Sequence, residues 1–205
     1  MTPWYRRKRF WNLPNTITVL RTLFVPVVVA LLWERPDFFR AAVATGVFIV
    51  AMLLDLVDGW LARKWDLQSV MGAFLDPLAD KLMHVTALIM LIPIGWAPAW
   101  MVLVMECREL AITGLRSLAA GEGLVIPASS LGKFKTSYQS TAISFLLLHY
   151  PIWGIDCHSV GILLLWISMF MSLASGAEYG WRFYEHYNRR KEAGGTPRDP
   201  RGAER

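Results

Sequence analysis

Residues 55–80 read DLVDGWLARKWDLQSVMGAFLDPLAD and place four carboxylates, Asp55, Asp58, Asp76 and Asp80, at the junction of two long apolar runs. Asp55 and Asp58 are three positions apart and Asp76 and Asp80 four apart, so each pair shares one face if its segment is helical. Two such helix ends can converge. Four carboxylates brought together at the edge of an apolar medium repel one another unless a cation neutralises them. Hard oxygen donors, with neither a cysteine nor a histidine pair among them, favour Mg²⁺ or Mn²⁺ over Zn²⁺. Four are enough for two ions, and two ions can clamp a diphosphate and activate its phosphorus.

The rest of the chain explains what medium these carboxylates stand beside. Of 205 residues 55% are hydrophobic and 10 are Trp, with a mean hydropathy of +0.37. That composition is a membrane protein's rather than a water-soluble domain's. Apolar runs predict an all-α, polytopic integral membrane protein with six transmembrane helices at about 16–33, 41–57, 78–94, 98–118, 136–150 and 160–179. Residues 1–187 read as one membrane domain and 188–205 as a basic, disordered tail, too rich in Gly, Pro and charge to bury a core. The first apolar run carries Arg21 and Pro26 and no small-residue cleavage site, so it reads as a retained helix rather than a removable leader.

Charge sets the expected orientation. The formal charge is +5, with Arg6 to Arg9, Arg63, Lys64, Arg116, Lys133, Lys135 and the tail falling on one side of a six-helix arrangement. The other side holds Glu34, Arg35, Asp37, Arg40 and Asp156, with no basic excess. The positive-inside rule then puts both termini and the four aspartates in the cytoplasm. Basic residues so placed suit anionic membrane lipids, and the lack of a basic face with interleaved aromatics speaks against nucleic acid as a partner. The expected topology puts Cys107 and Cys157 at opposite faces, which argues against a disulfide between them.

Between the aspartate pairs, Gly59 and Gly72 allow a ligand close to the backbone, Ala62 keeps the helix surface low and Arg63 offers a fork for phosphate oxygens. The string Asp55-x-x-Asp58-Gly59-x-x-Ala62-Arg63, eight residues, then Gly72-x-x-x-Asp76-x-x-x-Asp80 resembles, without departure, the signature of the CDP-alcohol phosphatidyltransferases. The resemblance implies an integral membrane enzyme, a homodimer, in which Asp55, Asp58, Asp76 and Asp80 bind two Mg²⁺ or Mn²⁺ ions. It implies that Asp80 also acts as general base on an acceptor hydroxyl, and that CMP leaves. Gly59, Ala62, Arg63, Ser69 and Gly72 match positions that contact the CDP-lipid, and Asn15, Thr16, Ile17 and Thr18 resemble a second nucleotide contact. Asn15 or Thr16 equally suits a cap on the first helix.

The signature names the donor and leaves the acceptor to the rest of the cavity. Arg108 and Arg116 are eight apart, about two helical turns, and Lys133 and Lys135 enter the next helix from the same side. Such a basic pocket suits an acceptor that carries a phosphate. The competing explanation is the positive-inside rule itself, and Glu109 offers a structural partner for one of the arginines. The order of segments over about 12–139 is similar to that of bacterial phosphatidylglycerophosphate synthases. This implies CDP-diacylglycerol as donor, glycerol 3-phosphate as acceptor and a bacterial inner membrane. Inositol phosphate, serine and phosphatidylglycerol are alternative acceptors. A divalent-cation transporter is a different class, although its acids belong near the midplane of broken helices rather than at one face.

Other features have plainer readings. His84, four residues after Asp80, is expected to bond a neighbour rather than a metal. Trp96, Trp100, Trp153, Trp166 and Trp181 lie near predicted helix ends, where an interfacial belt accounts for them. Gly176 suits close helix packing.

Overall fold

A computed structural model describes residues 13–64, 70–121 and 130–192. These form six helices, α1 (Leu13–Leu32), α2 (Phe38–Lys64), α3 (Val70–Leu91), α4 (Ala99–Gly121), α5 (Ser130–Leu148) and α6 (Cys157–Glu192), and no strand is found among the described residues. The all-α expectation and the number of helices hold. Phe38–Val57 and Cys157–His186 are each long and apolar enough to cross a membrane, and Thr16–Leu32 is a shorter apolar helix. α3, α4 and α5 interrupt their apolar stretches with Asp80, Lys81, Glu106, Arg108, Glu109 and Lys135. Large hydrophobic side chains such as Leu23, Leu53, Leu103, Leu110, Leu163 and Phe170 are exposed on the outside of the bundle. An apolar exterior of that extent suits lipid.

The bounds differ from the hydropathic ones in an instructive way. α2 continues past Val57 to Lys64 and α3 begins at Val70, running through Pro77. A proline inside a helix forfeits one hydrogen bond, and the packed segment that follows it outweighs that loss. All four aspartates therefore stand on helices, near the end of α2 and the start of α3. α1 starts at Leu13, so Asn15 and Thr16 lie in its first turn rather than at the position before it. α6 continues to Glu192, through the first residues of the stretch read as tail, while 193–205 lie outside the described residues.

One end of the bundle gathers the α1–α2, α3–α4 and α5–α6 connections. Tyr150 donates its hydroxyl to the Pro36 carbonyl at 2.7 Å, and Arg40 donates to the Leu31 carbonyl at 3.0 Å, closing the end of α1. Trp96 stacks on His149 with centroids 4.0 Å apart. Trp96 is thus buried in the core and not part of an interfacial belt, because its connection folds inward under His149. Asp37 and Asp156 cap α2 and α6 through the backbone N–H groups of Arg40 and His158. The Ser159 hydroxyl, 2.5 Å from Asp156, holds that carboxyl below the usual carboxylate range.

The dense core, Val28, Leu32, Phe48, Met83, Leu88, Leu91, Met101, Ile143, Leu146 and Leu165 among others, fills the half of the bundle toward this end. Ala41, Ala44, Ala51 and Ala87 are fully buried within it and let the helices approach closely. α1 packs on α2 and α3, α5 on α6 and α2, and α4 on α6. Both cysteines are free thiols.

At Gly161 an added Cβ would stand 2.8 Å from Leu146 Cγ and 2.9 Å from the Leu146 backbone nitrogen. Gly161→Val therefore forces α5 from α6 and is expected to cost about 1–3 kcal/mol. It should lower the unfolding temperature in detergent, while Gly46→Ala, whose Cβ meets nothing within 4 Å, should leave it level or raised.

Candidate active site

The site begins with a charge that cannot reach water. Arg21, on apolar α1, is fully buried, and its guanidinium pairs with Asp55 of α2. α1 also packs on α3, the helix that carries Asp80. Asp55 and Asp80 retain side-chain exposures of 35% and 29%, so each keeps part of its carboxylate open.

Asp80 is held on its own helix by His84. The ring Nδ1 lies 2.9 Å from the Asp80 carbonyl oxygen and 3.4 Å from its Oδ1. Nε2 lies 2.7 Å from Ser140 Oγ on α5, and the ring packs edge-on against Phe48 with centroids 5.7 Å apart. His84 thus bonds neighbours, as its sequence context suggests.

Asp80 lines a cleft between α3, α4 and α5 together with Lys81, His84, Glu106, Glu109, Lys135, Thr136 and Gln139. Glu109 anchors the cations here. It accepts from Lys135 and from Arg108, the latter at 2.9 Å, and stands 3.7 Å from Lys81 Nζ. Lys81 also donates to the Thr113 hydroxyl at 2.8 Å. Sequence reading passed over Lys81, whose position directly after Asp80 was the available signal. It passed over Arg21 as a partner too, although an arginine inside an apolar helix requires an acid.

The four expected acceptor-site cations do not all meet. Lys135 faces the cleft, nearly buried. Arg108 reaches its edge through Glu109, and its second nitrogen donates to Ser175 Oγ of α6 at 2.7 Å. Gly176 makes room for this guanidinium, since a Cβ there would come within 2.8 Å of Arg108 Nε. Arg116 turns to α6 instead, 5.3 Å above the Tyr179 ring. Lys133 lies on α5, Asp58, Gly59, Ala62 and Arg63 on α2, and Gly72 and Asp76 on α3. Except for Gly59, the side chains or faces of these positions are outside what the structure describes, as is Ser69 altogether. Asn15, Thr16, Ile17 and Thr18 occupy the first turns of α1, with Thr18 buried one turn before Arg21.

Asp55 and Asp80 offer hard, partly open oxygen donors on adjacent helices, a chemistry that fits Mg²⁺ or Mn²⁺. No three metal-ligating groups gather among the described residues. Asp58 and Asp76 stand three and four residues from Asp55 and Asp80 on the same helices.

The family model for CDP-alcohol phosphatidyltransferases matches residues 11–174, which take in Arg21, Asp55, Asp80, Arg108, Glu109 and Lys135. The chain is 42% identical over 180 residues to the CDP-diacylglycerol–glycerol-3-phosphate 3-phosphatidyltransferase of Bacillus subtilis, covering 82% of this chain and 93% of that protein. It is 37% identical over 175 residues to a probable phosphatidylglycerophosphate synthase of Mycobacterium tuberculosis, covering 84% and 82%. A CDP-diacylglycerol–glycerol-3-phosphate 3-phosphatidyltransferase of Rickettsia typhi is 34% identical over 169 residues, covering 82% and 94%. With the aspartate signature on α2 and α3 and this match over most of its length, the chain belongs to the CDP-alcohol phosphatidyltransferases, a family of membrane transferases.

Proposed function

We propose that the protein transfers a phosphatidyl group from CDP-diacylglycerol to glycerol 3-phosphate, giving phosphatidylglycerophosphate and CMP. The observation that carries this reading is the cleft in which Asp80 stands beside Lys81 and Lys135, a base next to cations suited to a phosphorylated alcohol. The relatives named for this reaction support it.

In this reading the donor keeps its acyl chains in the bilayer, beside the apolar outer faces. Its cytidine diphosphate contacts Gly59, Ala62, Arg63, Ser69 and Gly72, with Asn15 to Thr18 as a second contact. Asp55, Asp58, Asp76 and Asp80 would hold two Mg²⁺ or Mn²⁺ ions, which supply charge neutralisation at the diphosphate when bound. Lys135 and Lys81 bind the acceptor phosphate, with Arg108 supporting Glu109 behind them. Asp80 takes the proton from the acceptor hydroxyl. That oxygen bonds to the phosphorus on the diacylglycerol side as the bond from this phosphorus to the CMP oxygen breaks. Until the acceptor arrives, Glu109 keeps Lys135 in place and spares it an unpaired charge. We place the enzyme as a homodimer in a bacterial inner membrane, multi-pass, with both termini and the site facing the cytoplasm.

Purified protein with CDP-diacylglycerol and Mg²⁺ should release CMP on addition of glycerol 3-phosphate. Inositol phosphate, serine or phosphatidylglycerol should be far weaker acceptors. A preference for any of these would replace the acceptor, and metal-dependent ion flux without CMP release would replace the enzyme reading with a transporter.

Within that assay, Asp80→Asn should lower kcat by about 10²- to 10⁴-fold, the usual worth of a positioned base. Lys135→Ala should raise the KM for glycerol 3-phosphate about tenfold or more, the loss of one charge-assisted hydrogen bond, and leave that for CDP-diacylglycerol alone. An unchanged acceptor KM would remove Lys135 from the acceptor site.

A further inference from the structure

His84 is a buried titratable side chain to which the signature gives no role. A carbonyl oxygen only accepts, so the 2.9 Å contact with the Asp80 carbonyl requires the hydrogen on Nδ1. The same Nδ1 lies 3.4 Å from Asp80 Oδ1. The N–H therefore stands between the backbone and the carboxylate of one residue and restricts how that carboxylate turns. The ring itself is fixed from two further directions. Phe48 of α2 meets it edge-on, and Ser140 of α5 meets Nε2 at 2.7 Å. Ser140 Oγ is in turn 2.9 Å from the carbonyl oxygen of Thr136, which lines the cleft beside Lys135.

We infer that His84 is a positioning residue for Asp80. It clasps the base on α3 and ties it through Ser140 to the stretch of α5 that carries Lys135. The base and the acceptor-phosphate contact, on different helices, are thereby kept in one register. This inference rests on the reading of Asp80 as general base, and it assigns His84 no contact with either substrate.

Its signature is kinetic. Loss of the clasp leaves both substrates bound but the base misaimed, so kcat falls while the KM values stay. His84→Asn retains a donor near the Nδ1 position. His84→Gln carries one near Nε2 and loses the Asp80 contact. His84→Phe keeps the ring against Phe48 and loses both nitrogens. In the full-length protein, His84→Phe and His84→Gln are expected to lower kcat by about 10- to 100-fold with both KM values within about twofold, and His84→Asn to recover most of that loss. Ser140→Ala, which removes only the far tether, should lower kcat in the same direction by less, and it reports on the clasp if a His84 variant fails to fold.

Wild-type kcat in His84→Phe, no rescue by His84→Asn, or a rise in KM in place of a fall in kcat would overturn the inference. The fate of the functional reading is separate and is seen in the wild type. If another acceptor drives CMP release, the same variants are compared with that acceptor, because the clasp concerns the base. If none does, both proposals fall.

Discussion

The pairing of Arg21 with Asp55 governs the architecture of the site. An arginine within an apolar helix costs about 3 kcal/mol to insert, and here it has no route to water. Its guanidinium meets the Asp55 carboxylate from within the bundle, which fixes the register of α1 against α2. The same helix packs on α3, so one buried cation sits against both helices that carry the signature. Asp55 is engaged on its inner side and open on its outer side, the arrangement a carboxylate needs if it is to meet both a structural partner and a ligand.

Polar and apolar functions occupy different halves of the bundle. Toward the α1–α2, α3–α4 and α5–α6 connections the helices meet through alanines and large aliphatic side chains. Toward the other end α3, α4 and α5 part around Asp80, Lys81, Glu109 and Lys135. Close packing below gives the charged groups a rigid base. Glu109 does the corresponding work above, since without it Lys135 and Arg108 would be neighbouring buried charges of one sign. Gly176 completes the arrangement by admitting Arg108 against α6.

Much of this was legible in the sequence. Six apolar segments gave six helices, and Asp55, Asp58, Asp76 and Asp80, whose spacing suggested helices, do stand on α2 and α3. Helix ends were less legible, because hydropathy falls where the aspartates begin while helical hydrogen bonding continues, through Gly59 in α2 and Pro77 in α3. Trp96 was read as interfacial because its position next to a helix end hides the inward fold of its connection, which stacks it on His149. Pairings such as Arg21 with Asp55 and His84 with Ser140 join residues 34 and 56 positions apart, and no local pattern encodes them. Likewise Arg108 and Arg116 were rightly put on one face, but that face meets α6 at Ser175 and Tyr179, which only the packing reveals.

Asp80, Lys81 and Lys135 share one cleft, and in the function we propose the acceptor hydroxyl is deprotonated where it attacks, so that the phosphatidyl group passes in a single displacement. An alternative use of the same carboxylate, as a nucleophile that carries the phosphatidyl group before handing it on, would pass through two displacements. The stereochemical course separates them. With CDP-diacylglycerol made chiral at the reacting phosphorus by sulfur and oxygen-isotope substitution, the account predicts phosphatidylglycerophosphate of inverted configuration, and retention would contradict it.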